Sequence, residues 1–522
     1  MRKVKLFFRN QKGYLTIIAA FLVVFIGFLG TTIAYMMFSS SMSSVNFSQG
    51  TKALYLAEAG IEKTTRYLLT PTFGGASGRI ACGAVTGDGD LTNASFGPGT
   101  FTVTTLNSSP IFATDTLNGA LTSAATTITV DSTSGFAPSG RIMIDKELIS
   151  YNRLTATTFT GATRGVDGTT AVAHIDNTPM GQYQCSLESN GGIPNLTSPL
   201  QRREIQNTVQ LQDGWTVGDD SSSNYRVYRW NRSTELTWNN GSFTSGTSRI
   251  LYGVYMLSYA DGWAVGENGV IFRWNGSSWS LNTTISGNPQ MNSVFCNTSN
   301  DCHAVGNSRT LRRWNGSTWT TPTISGGTTG SNMNTVHCTA SNNCWAMGAG
   351  NFAYDWDGST WTANNISSLT VGTIQSAFCN SSSDCWAVGN SNVFARYTGG
   401  SWSNYSTGMP NSTYRSVFCN SSSDCWAVGN NTTGPTQELI VHWDGTGWTR
   451  FPGPSTNRDL YAVECANTND CWAVGQNSEF VHWNGTSWTT FTTSGLASVI
   501  LRSISLIYPH SQPKSVWQEI FA

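Results

Sequence analysis

Charged side chains are scarce in this sequence of 522 residues, where Asp, Glu, Lys and Arg together make up 11%. The formal net charge is -1, so no strong overall field would draw the chain to nucleic acid or to an anionic membrane surface. Histidine is also rare, with six scattered copies, and the sequence contains no HExxH motif and no nucleophile elbow. We therefore expect no nucleic-acid partner, no metal site, no cofactor and no enzymatic activity.

The residues that are abundant indicate a β protein. The chain contains 20 Trp and 53 Gly, together with long tracts of Ser, Thr and Asn. Such a composition favours many short strands joined by tight turns. Hydrophobic residues make up 39% of the chain, which is enough for ordinary cores.

Ten of the twelve cysteines form five pairs with one repeated spacing. The pairs are Cys296 with Cys302, Cys338 with Cys344, Cys379 with Cys385, Cys419 with Cys425, and Cys465 with Cys471. An even number at a repeated spacing is typical of disulfides, whereas a zinc site needs closer CxxC pairs or nearby histidines. Disulfides would place this part of the chain outside the reducing cytosol. We expect the remaining two cysteines, Cys82 and Cys185, to pair with each other.

The N-terminal region combines a basic flank with an apolar run. Residues 1–13 carry five basic side chains and no acidic one, and an apolar run without charge or proline follows from Tyr14 to Phe38. A helix over this run would be long enough to cross a bilayer, with the basic flank held in the cytoplasm. The run continues into the amphipathic stretch KALYLAEAGIEKTTRYLL, so we predict one helix over residues 14–68.

This region resembles the type IV pilins and pseudopilins. The sequence QKG before YLT is similar to the end of a class III leader, and AEAGIE at 57–62 is similar to minor pilins of the mannose-sensitive-haemagglutinin and pilus-tip type. The resemblance implies that a prepilin peptidase cuts after Gly13, methylates Tyr14 and leaves a helix that packs with other pilins. Most members carry Glu five residues after the cut, where this chain has Ile18. That departure favours a position at the filament tip.

Residues 69–210 are predicted to form a pilin-like β domain. Within it, residues 115–180 resemble a small β module of phage structural proteins and surface proteins, so we interpret them as an insertion. Cys82 and Cys185 lie on either side of this segment, where a disulfide would tie its base.

From residue 211 the sequence repeats about every 40 residues, the length of one four-stranded propeller blade. The repeat centres on a WAVG-like strand at 215–218, 263–266, 303–306, 345–348, 386–389, 426–429 and 472–475. It resembles propellers with GWAVG blades and Asp-box-like hairpins, as in photosystem assembly factors and sialidase-type folds. We predict a mainly β protein with one long N-terminal α-helix: a pilin-like α+β region, then a seven-bladed β-propeller over 211–498. Residues 499–522 would either close the propeller or return to the pilin sheet.

One repeated position offers a candidate ligand-binding surface. The residue before the aromatic side chain of the third strand is basic in six of the seven repeats: Arg229, Arg273, Arg313, Arg396, His442 and His482. Seven-fold geometry would place these groups in a ring. They are either structural partners of neighbouring strands or a cationic surface for a glycan or another receptor.

These patterns together favour a minor pilin that passes through the inner membrane as a precursor and then joins an extracellular pilus, where its propeller binds a surface or partner. One alternative is a membrane-anchored periplasmic assembly factor. Another is an exported glycan-active enzyme, which is disfavoured because the acidic residues recur from blade to blade, as at Asp301, Asp384 and Asp424, whereas catalytic groups are single.

Overall fold

The structure is a computed structural model. It describes residues 12–69, 81–106, 111–197, 199, 201–211, 213–219, 224–230, 238–240, 243–244, 250–350, 352–369, 372–409, 412–431, 438–454, 458–491, 496, 498–507 and 518–520. These ranges contain one α-helix, α1 (Lys12–Leu69), and their other regular elements are β-strands and four three-residue 3-10 helices. The predicted class, mainly β with a single N-terminal helix, is thereby confirmed.

The first ten strands follow α1 and form two sheets. They are β1 (Ala94–Phe96), β2 (Gly99–Thr105), β3 (Ile111–Thr116), β4 (Thr127–Thr129), β5 (Gly140–Ile144), β6 (Glu147–Tyr151), β7 (Arg153–Leu154), β8 (Thr158–Thr160), β9 (Pro179–Ile193) and β10 (Gln201–Gln210). The main sheet has the antiparallel order β1-β2-β9-β10, and β3 and β5 also pair with β9. We call α1 with these ten strands the helix–sheet domain.

The C-terminal part of α1 packs on this sheet because small residues allow the two to come close. Ala53 and Ala57 are fully buried, and a Cβ added to Gly191 of β9 would lie 2.1 Å from the carbonyl oxygen of Ala53. Leu56 and Ile61 fill the space beside them. The helix is therefore fixed to β9 by apolar packing over its last turns.

The predicted insertion at 115–180 has a small core of its own, which includes Ile128, Phe159 and Met180, and it is also joined to the main sheet. It contains β4 to β8, but β5 joins the main sheet by pairing with β9, while β4, β7 and β8 form a small sheet of their own. The reason is the length of β9, whose 15 residues pair with β2 and β10 toward one end and with β3 and β5 toward the other. The predicted disulfide between Cys82 and Cys185 is present, and it ties the segment before β1 to β9.

The remaining strands form seven further sheets, which are the blades of a propeller. In chain order they are β11 (Asp213–Gly218), β12 (Asn224–Trp230), β13 (Trp238–Asn240) and β14 (Phe243–Thr244) in blade 1; β15 (Leu251–Ser258), β16 (Asp261–Gly266), β17 (Val270–Trp274) and β18 (Trp279–Thr284) in blade 2; β19 (Met291–Thr298), β20 (Asp301–Gly306), β21 (Thr310–Trp314) and β22 (Trp319–Thr320) in blade 3; β23 (Thr323–Ser325), β24 (Met333–Ala340), β25 (Asn343–Gly348), β26 (Phe352–Trp356) and β27 (Thr360–Asn365) in blade 4; β28 (Ile374–Ser381), β29 (Asp384–Gly389), β30 (Phe394–Tyr397) and β31 (Trp402–Asn404) in blade 5; β32 (Ser412–Ser421), β33 (Asp424–Asn431), β34 (Leu439–Trp443) and β35 (Trp448–Phe451) in blade 6; and β36 (Leu460–Asn467), β37 (Asp470–Gly475), β38 (Phe480–Trp483) and β39 (Trp488–Thr490) in blade 7.

Two C-terminal strands, β40 (Leu501–Ile507) and β41 (Gln518–Ile520), complete both parts of the molecule. Strand β40 pairs with β11 and supplies the inner strand of blade 1, and the seven inner strands then contact one another in a closed ring. Strand β41 pairs with β10 of the helix–sheet domain. The two alternatives left open by the sequence for residues 499–522 are therefore both realised, by different strands.

Tryptophan and glycine explain why the repeat folds into blades. The WAVG tryptophan of one blade packs on tryptophans of the next, as Trp263 does on Trp319 at a ring distance of 5.1 Å and 88°. The third-strand tryptophan donates its indole N–H to the first turn, as Trp314 does to the carbonyl of Ser299 at 3.0 Å. The hairpin turn before the fourth strand contains a glycine with positive φ, for example 95° at Gly316, which follows Asn315.

All five predicted blade disulfides are present, one in each of blades 3 to 7. In chain order they join Cys296 with Cys302, Cys338 with Cys344, Cys379 with Cys385, Cys419 with Cys425, and Cys465 with Cys471. The two cysteines of each bridge are directly opposed on the first two strands of their blade. Blades 1 and 2 instead place a glycine opposite a large apolar side chain, namely Gly214 opposite Leu506 and Gly262 opposite Met256.

Candidate ligand-binding site

The inner strands of the seven blades line a channel along the propeller axis. Each inner strand begins at one end of the channel, which we call the upper mouth, and ends at the other, which we call the base. The helix–sheet domain lies at the base, where the ring of Tyr183 packs 5.9 Å from that of Tyr259 and Asp145 accepts a hydrogen bond from the Ser299 N–H at 2.9 Å. The upper mouth is thus on the opposite side of the propeller.

Hydroxyl groups connect neighbouring inner strands midway along the channel. The hydroxyl of Ser376 accepts the N–H of Val417 in the next blade at 3.2 Å, and Ser416 accepts that of Val463 at 3.2 Å. Ser503 of β40 does the same for Val254 at 3.2 Å. These bonds satisfy backbone donors that would otherwise face the channel, and they hold the ring of blades together.

The base of the channel holds a lysine of the helix–sheet domain. The Lys146 ammonium, from the turn between β5 and β6, lies 4.6 Å from the ring centroid of Tyr255 and 4.8 Å from that of Phe295. Lys146 is exposed to the channel, but the surrounding blades desolvate it and lower its pKa to about 8, although the carboxylates of Glu464 and Asp145 act to raise it. Burial likewise raises the pKa of Glu464 to about 8. Lys146 and Met143 help line a cavity of about 720 Å³ at this end.

The turn that carries Lys146 is held by a buried cluster of charges. His174 lies between two carboxylates, with Nδ1 3.0 Å from Asp145 and Nε2 2.8 Å from Glu147, and Arg164 also binds Glu147 at 2.7 Å. Burial opposes protonation of His174, but the two carboxylates outweigh it and raise its pKa. The cluster fixes the residues on both sides of Lys146.

Each inner strand has a β-bulge at its start, and the bulged residue faces the upper mouth. The seven residues are Tyr252, Asn292, Asn334, Gln375, Arg415, Tyr461 and Arg502. A bulge redirects a side chain out of the regular ladder, and bulges often lie next to binding sites. These residues surround a depression of about 300 Å³ with a largely polar lining.

One half of the upper mouth is an arc of alternating cations and aromatic rings, which we call the cationic arc. It consists of Arg415, Tyr461, Arg502 and Tyr252. The Arg415 guanidinium lies 4.2 Å from the ring centroid of Tyr461, and that of Arg502 lies 4.9 Å from Tyr252 and 5.6 Å from Tyr461. Arg502 is anchored by Asp219, which accepts from its Nη2 at 3.0 Å. Arg415 is held more loosely, because its Nη2 lies 3.9 Å from Asp459.

The other half of the upper mouth consists of amides. Asn292 donates to the carbonyl of Met333 at 2.7 Å, and Asn334 donates to that of Ile374 at 2.8 Å. Gln375 donates to the side chain of Asn390 at 3.1 Å. Each amide is thereby oriented by its hydrogen bond, and the mouth presents neutral donors and acceptors opposite the cationic arc.

The predicted basic ring lies elsewhere and its charges are paired. All six members contact the aspartate that begins the second strand of their blade at 3.2 Å or less: Arg229 with Asp213, Arg273 with Asp261, Arg313 with Asp301, Arg396 with Asp384, His442 with Asp424 and His482 with Asp470. Several of these cations also lie over the WAVG tryptophan, as Arg396 does over Trp386 at 5.0 Å. The geometry thus favours the structural interpretation of this ring.

One group of metal-binding residue types comes together in the described residues, and its chemistry does not suit a metal. His303 lies close to Cys338 and Cys344, but those two sulfurs are bonded to each other. Burial lowers the pKa of His303 to about 4, and its ring packs 5.2 Å from Trp356. His303 therefore replaces the WAVG tryptophan of its blade as a packing group.

The environment of α1 changes along its length. Residues 53–68 contribute to the core, whereas Phe25, Tyr35, Met37 and Phe47 are 62%, 73%, 70% and 79% exposed. Gly13 and Tyr14, the predicted processing site, lie in the first turns, and residues 1–11 of the predicted leader lie outside the described residues. In the described part of the chain no helix is apolar and long enough to cross a membrane, so the predicted transmembrane span is not supported.

Sequence reasoning missed the upper mouth. Its residues occupy one position of the repeat, but that position varies from blade to blade, so the pattern draws attention to its more regular neighbours instead. A usable signal was present in Arg415 and Arg502, which stand just before a serine in otherwise uncharged inner strands. The bulge that turns them toward the axis has no clear signature in the sequence.

Comparisons with known proteins find only weak structural similarities. No family model and no curated protein matches the chain. Similar solved structures include YCF48 bound to a D1 peptide (16% identity, TM-score 0.41, 52% of this chain and 87% of that one). YCF48 from Cyanidioschyzon merolae (14%, 0.39, 57% and 96%) and the WD40 β-propeller domain of Doa1 (11%, 0.37, 55% and 88%) are further examples. Because these similarities are weak, the assignment rests on the strand pairing, which defines a β-propeller joined to a helix–sheet domain.

Proposed function

We propose that this protein is a minor subunit of a type IV pilus or a related filament, located at its tip, and that it displays the propeller as a binding head. The observation that carries the proposal is the change in environment along α1. Its C-terminal turns are buried in the helix–sheet domain, whereas large apolar side chains between residues 25 and 47 are exposed. An exposed apolar helix gains stability when neighbouring helices cover it, as in a filament core.

The placement of the propeller supports the role of a binding head. The helix–sheet domain contacts the base, and Lys146 enters the channel from that side. The upper mouth, with its non-repeating side chains, lies on the far side. A ligand could reach this mouth while α1 is held by other subunits.

Ile18 and the size of the propeller support a place at the tip. In a packed helix bundle, an N-terminal charge without a partner is costly, and the family Glu that would serve as partner is replaced by Ile18. A subunit at the very end has no neighbour above it, so the apolar residue carries no such cost there. The seven blades would also crowd a helical lattice, but they meet no obstacle at its end.

Mass spectrometry of sheared filaments tests this proposal. We expect the filament fraction to contain propeller peptides and an N-terminal peptide that begins at methylated Tyr14. The variant Gly13→Val should remain unprocessed and absent from filaments, whereas the matched change Gly30→Ala, within α1, should be processed normally. Immunogold labelling of the propeller should mark filament ends. An intact leader on protein recovered from filaments, or gold along the whole shaft, would contradict the proposal.

A further inference from the structure

The upper mouth departs from the repetition that governs the rest of the propeller. The inner strands repeat an apolar residue, an aromatic residue and a cysteine in several blades, as in the sequences VFC of blades 3 and 6 and AFC of blade 5. At the bulge, by contrast, the seven blades use four different residue types. A position that serves only the fold would be expected to follow the repeat. The variation therefore points to a role for this ring beyond stability.

Arg415 has hydrogen-bonding capacity that the fold does not use. Its Nε is buried and has no hydrogen-bond partner among the described residues, and its contact with Asp459 is long at 3.9 Å. The Arg415 side chain as a whole is 27% exposed, so a ligand can approach this arginine from the mouth and supply a stronger acceptor than the distant Asp459. The planar guanidinium fork fits a carboxylate, which can accept two parallel hydrogen bonds.

The neighbouring groups preorganise this arginine. Its guanidinium lies over the ring of Tyr461, and Arg502 lies near the same ring at 5.6 Å. Arg502 is in turn fixed by Asp219. The cationic arc is thus already ordered, which reduces the entropy lost on binding.

The charges in the mouth favour a single negative charge on the ligand. Two arginines, Arg415 and Arg502, are accompanied by two aspartates, Asp219 and Asp459, so the formal sum is zero. Burial raises the pKa of Asp459, against the effect of Arg415. A carboxylate bound by Arg415 leaves the mouth with a formal charge of -1, whereas a dianionic phosphate would leave -2 and meet the repulsion of both aspartates more strongly.

The rest of the ligand should carry hydroxyl groups. Opposite the cationic arc stand Asn292, Asn334 and Gln375, and below them the channel is lined by Ser293 and Ser376. Primary amides and hydroxyls offer both donors and acceptors, as sugar hydroxyls require. A peptide would need apolar pockets for its side chains, and the lining of this mouth is mainly polar.

We propose that the upper mouth binds an acidic saccharide. Its uronate carboxylate binds Arg415, and its sugar hydroxyls bind the amides of Asn292, Asn334 and Gln375. This assignment deepens the proposed function by naming the ligand class of the binding head. It does not depend on filament assembly, because binding can be measured with the purified chain.

Calorimetry on the detergent-solubilised full chain tests the assignment. The probes are a trimer of galacturonic acid and its carboxyl-reduced, neutral counterpart. We expect the acidic trimer to bind at least about ten-fold more tightly, since it alone supplies a charge-assisted contact. Arg415→Gln should weaken binding of the acidic trimer by a similar factor and reduce its dependence on salt.

The matched control is Arg309→Gln, because Arg309 lies in the turn after β20, outside the ring of bulged residues, and donates to the Gly326 carbonyl. Binding by this variant should stay within about two-fold of the unchanged protein. Unaltered thermal unfolding of Arg415→Gln would show that the loss is local. Equal affinity for the two trimers, no binding of either, full binding by Arg415→Gln, or tighter binding of a tripeptide than of its C-terminal amide would each overturn the assignment. Detection of the protein in sheared filaments would be unaffected by any of these results.

Discussion

Blades 1 and 2 hold their inner hairpins together without a disulfide, whereas blades 3 to 7 each contain one. The two unlinked blades are those that share a core with the helix–sheet domain, through side chains such as Trp215, Tyr259 and Trp279. Where the cysteines would stand, Met256 and Leu506 cover a glycine instead. The comparison indicates that apolar burial against a second domain replaces the covalent link.

The aspartates of the ion pairs are also more deeply buried in blades 1 and 2 than in blade 5. Asp213 and Asp261 in blades 1 and 2 are 0% and 1% exposed, whereas the side chain of Asp384 in blade 5 is 17% exposed. Burial raises the pKa of Asp261 to about 6, although Arg273 acts to lower it. We call blades 1 and 2 the covered blades, because they share a core with the helix–sheet domain, and blades 3 to 7 the uncovered blades. The stability of a covered blade therefore depends more strongly on the arginine partner of its aspartate.

The largest expected effect comes from deleting residues 499–522, which removes the inner strand β40 from blade 1. Without it, β11 loses its pairing on the side facing the channel, and the ring of inner strands is open. We expect loss of the cooperative thermal transition and aggregation, measured by circular dichroism and light scattering. Deletion of 509–522 alone removes β41 but keeps β40, and it should leave the transition of the propeller in place. A cooperative transition in the protein that lacks 499–522 would show that the propeller folds without β40.

The second prediction compares the loss of an ion pair in a covered blade with the loss of an ion pair in an uncovered blade. Arg273→Gln leaves Asp261 buried without its partner and should lower the free energy of unfolding by about 3 kcal/mol. Arg396→Gln in blade 5 is the matched change, and it should cost clearly less because Asp384 is reached by water. Chemical denaturation of both variants measures the difference.

The pH dependence sharpens this test. Without Arg273 the pKa of Asp261 should rise further above its unfolded value, so the folded state is favoured when the carboxyl is protonated and loses stability as the pH rises through that pKa. The penalty for Arg273→Gln should therefore be smaller at pH 5 than at pH 8. A penalty independent of pH, or equal to that of Arg396→Gln, would argue against a covered ion pair.

The third effect concerns the covalent link of an uncovered blade. Replacing Cys379 and Cys385 by serine removes a bridge that closes a short loop, with a sequence separation of 6. In the chain-entropy model this should lower the free energy of unfolding by about 2 kcal/mol. Denaturation under non-reducing conditions measures the change, and blade 5 should become the first site of proteolysis. A loss no larger than the error would mean that blades 3 to 7 are held by packing alone.

The smallest effect is expected from adding a link to a covered blade. The double change Met256→Cys and Gly262→Cys places two cysteines opposite each other in blade 2. The gain from the new bridge, about 2 kcal/mol, is offset by loss of the buried Met256 side chain, so the net change should be near zero. The single change Gly262→Cys serves as control and should destabilise, because a Cβ there would lie 2.3 Å from the Met256 sulfur. A large net gain in stability would contradict the inference that apolar burial in blade 2 replaces the disulfide.

The sequence predicted those features that depend on local, repeated patterns. The WAVG strands, the glycine turns such as Gly316 and the disulfides all recur about every 40 residues and report directly on blade geometry. The C-terminal strands were left undecided because β40 and β41 lack the repeat pattern. Their roles follow only from pairing with β11 and β10, which are about 300 residues away.

The candidate site was harder to predict. The basic ring was visible in the sequence, but its pairing with aspartates such as Asp261 depends on which side chains meet across two strands. Lys146 reaches the channel only because the turn between β5 and β6 docks on the base. The arc of Arg415 and Tyr461 brings together bulged residues of different blades. Arg273 and Asp261 are 12 residues apart, on neighbouring strands, and the other neighbours are much farther apart in sequence.

The two chain crossings between the domains have a mechanical consequence. The chain passes from β10 into β11 and returns from β40 to β41, and the ends concerned are paired, since Asp213 lies opposite Ile507. If a ligand holds the propeller while a filament pulls on the helix–sheet domain, tension reaches β11 and β40 from the same end. The two strands are then drawn together rather than peeled apart. The force must be resisted in shear by β12 and by the inner strands β15 and β36 on either side of β40.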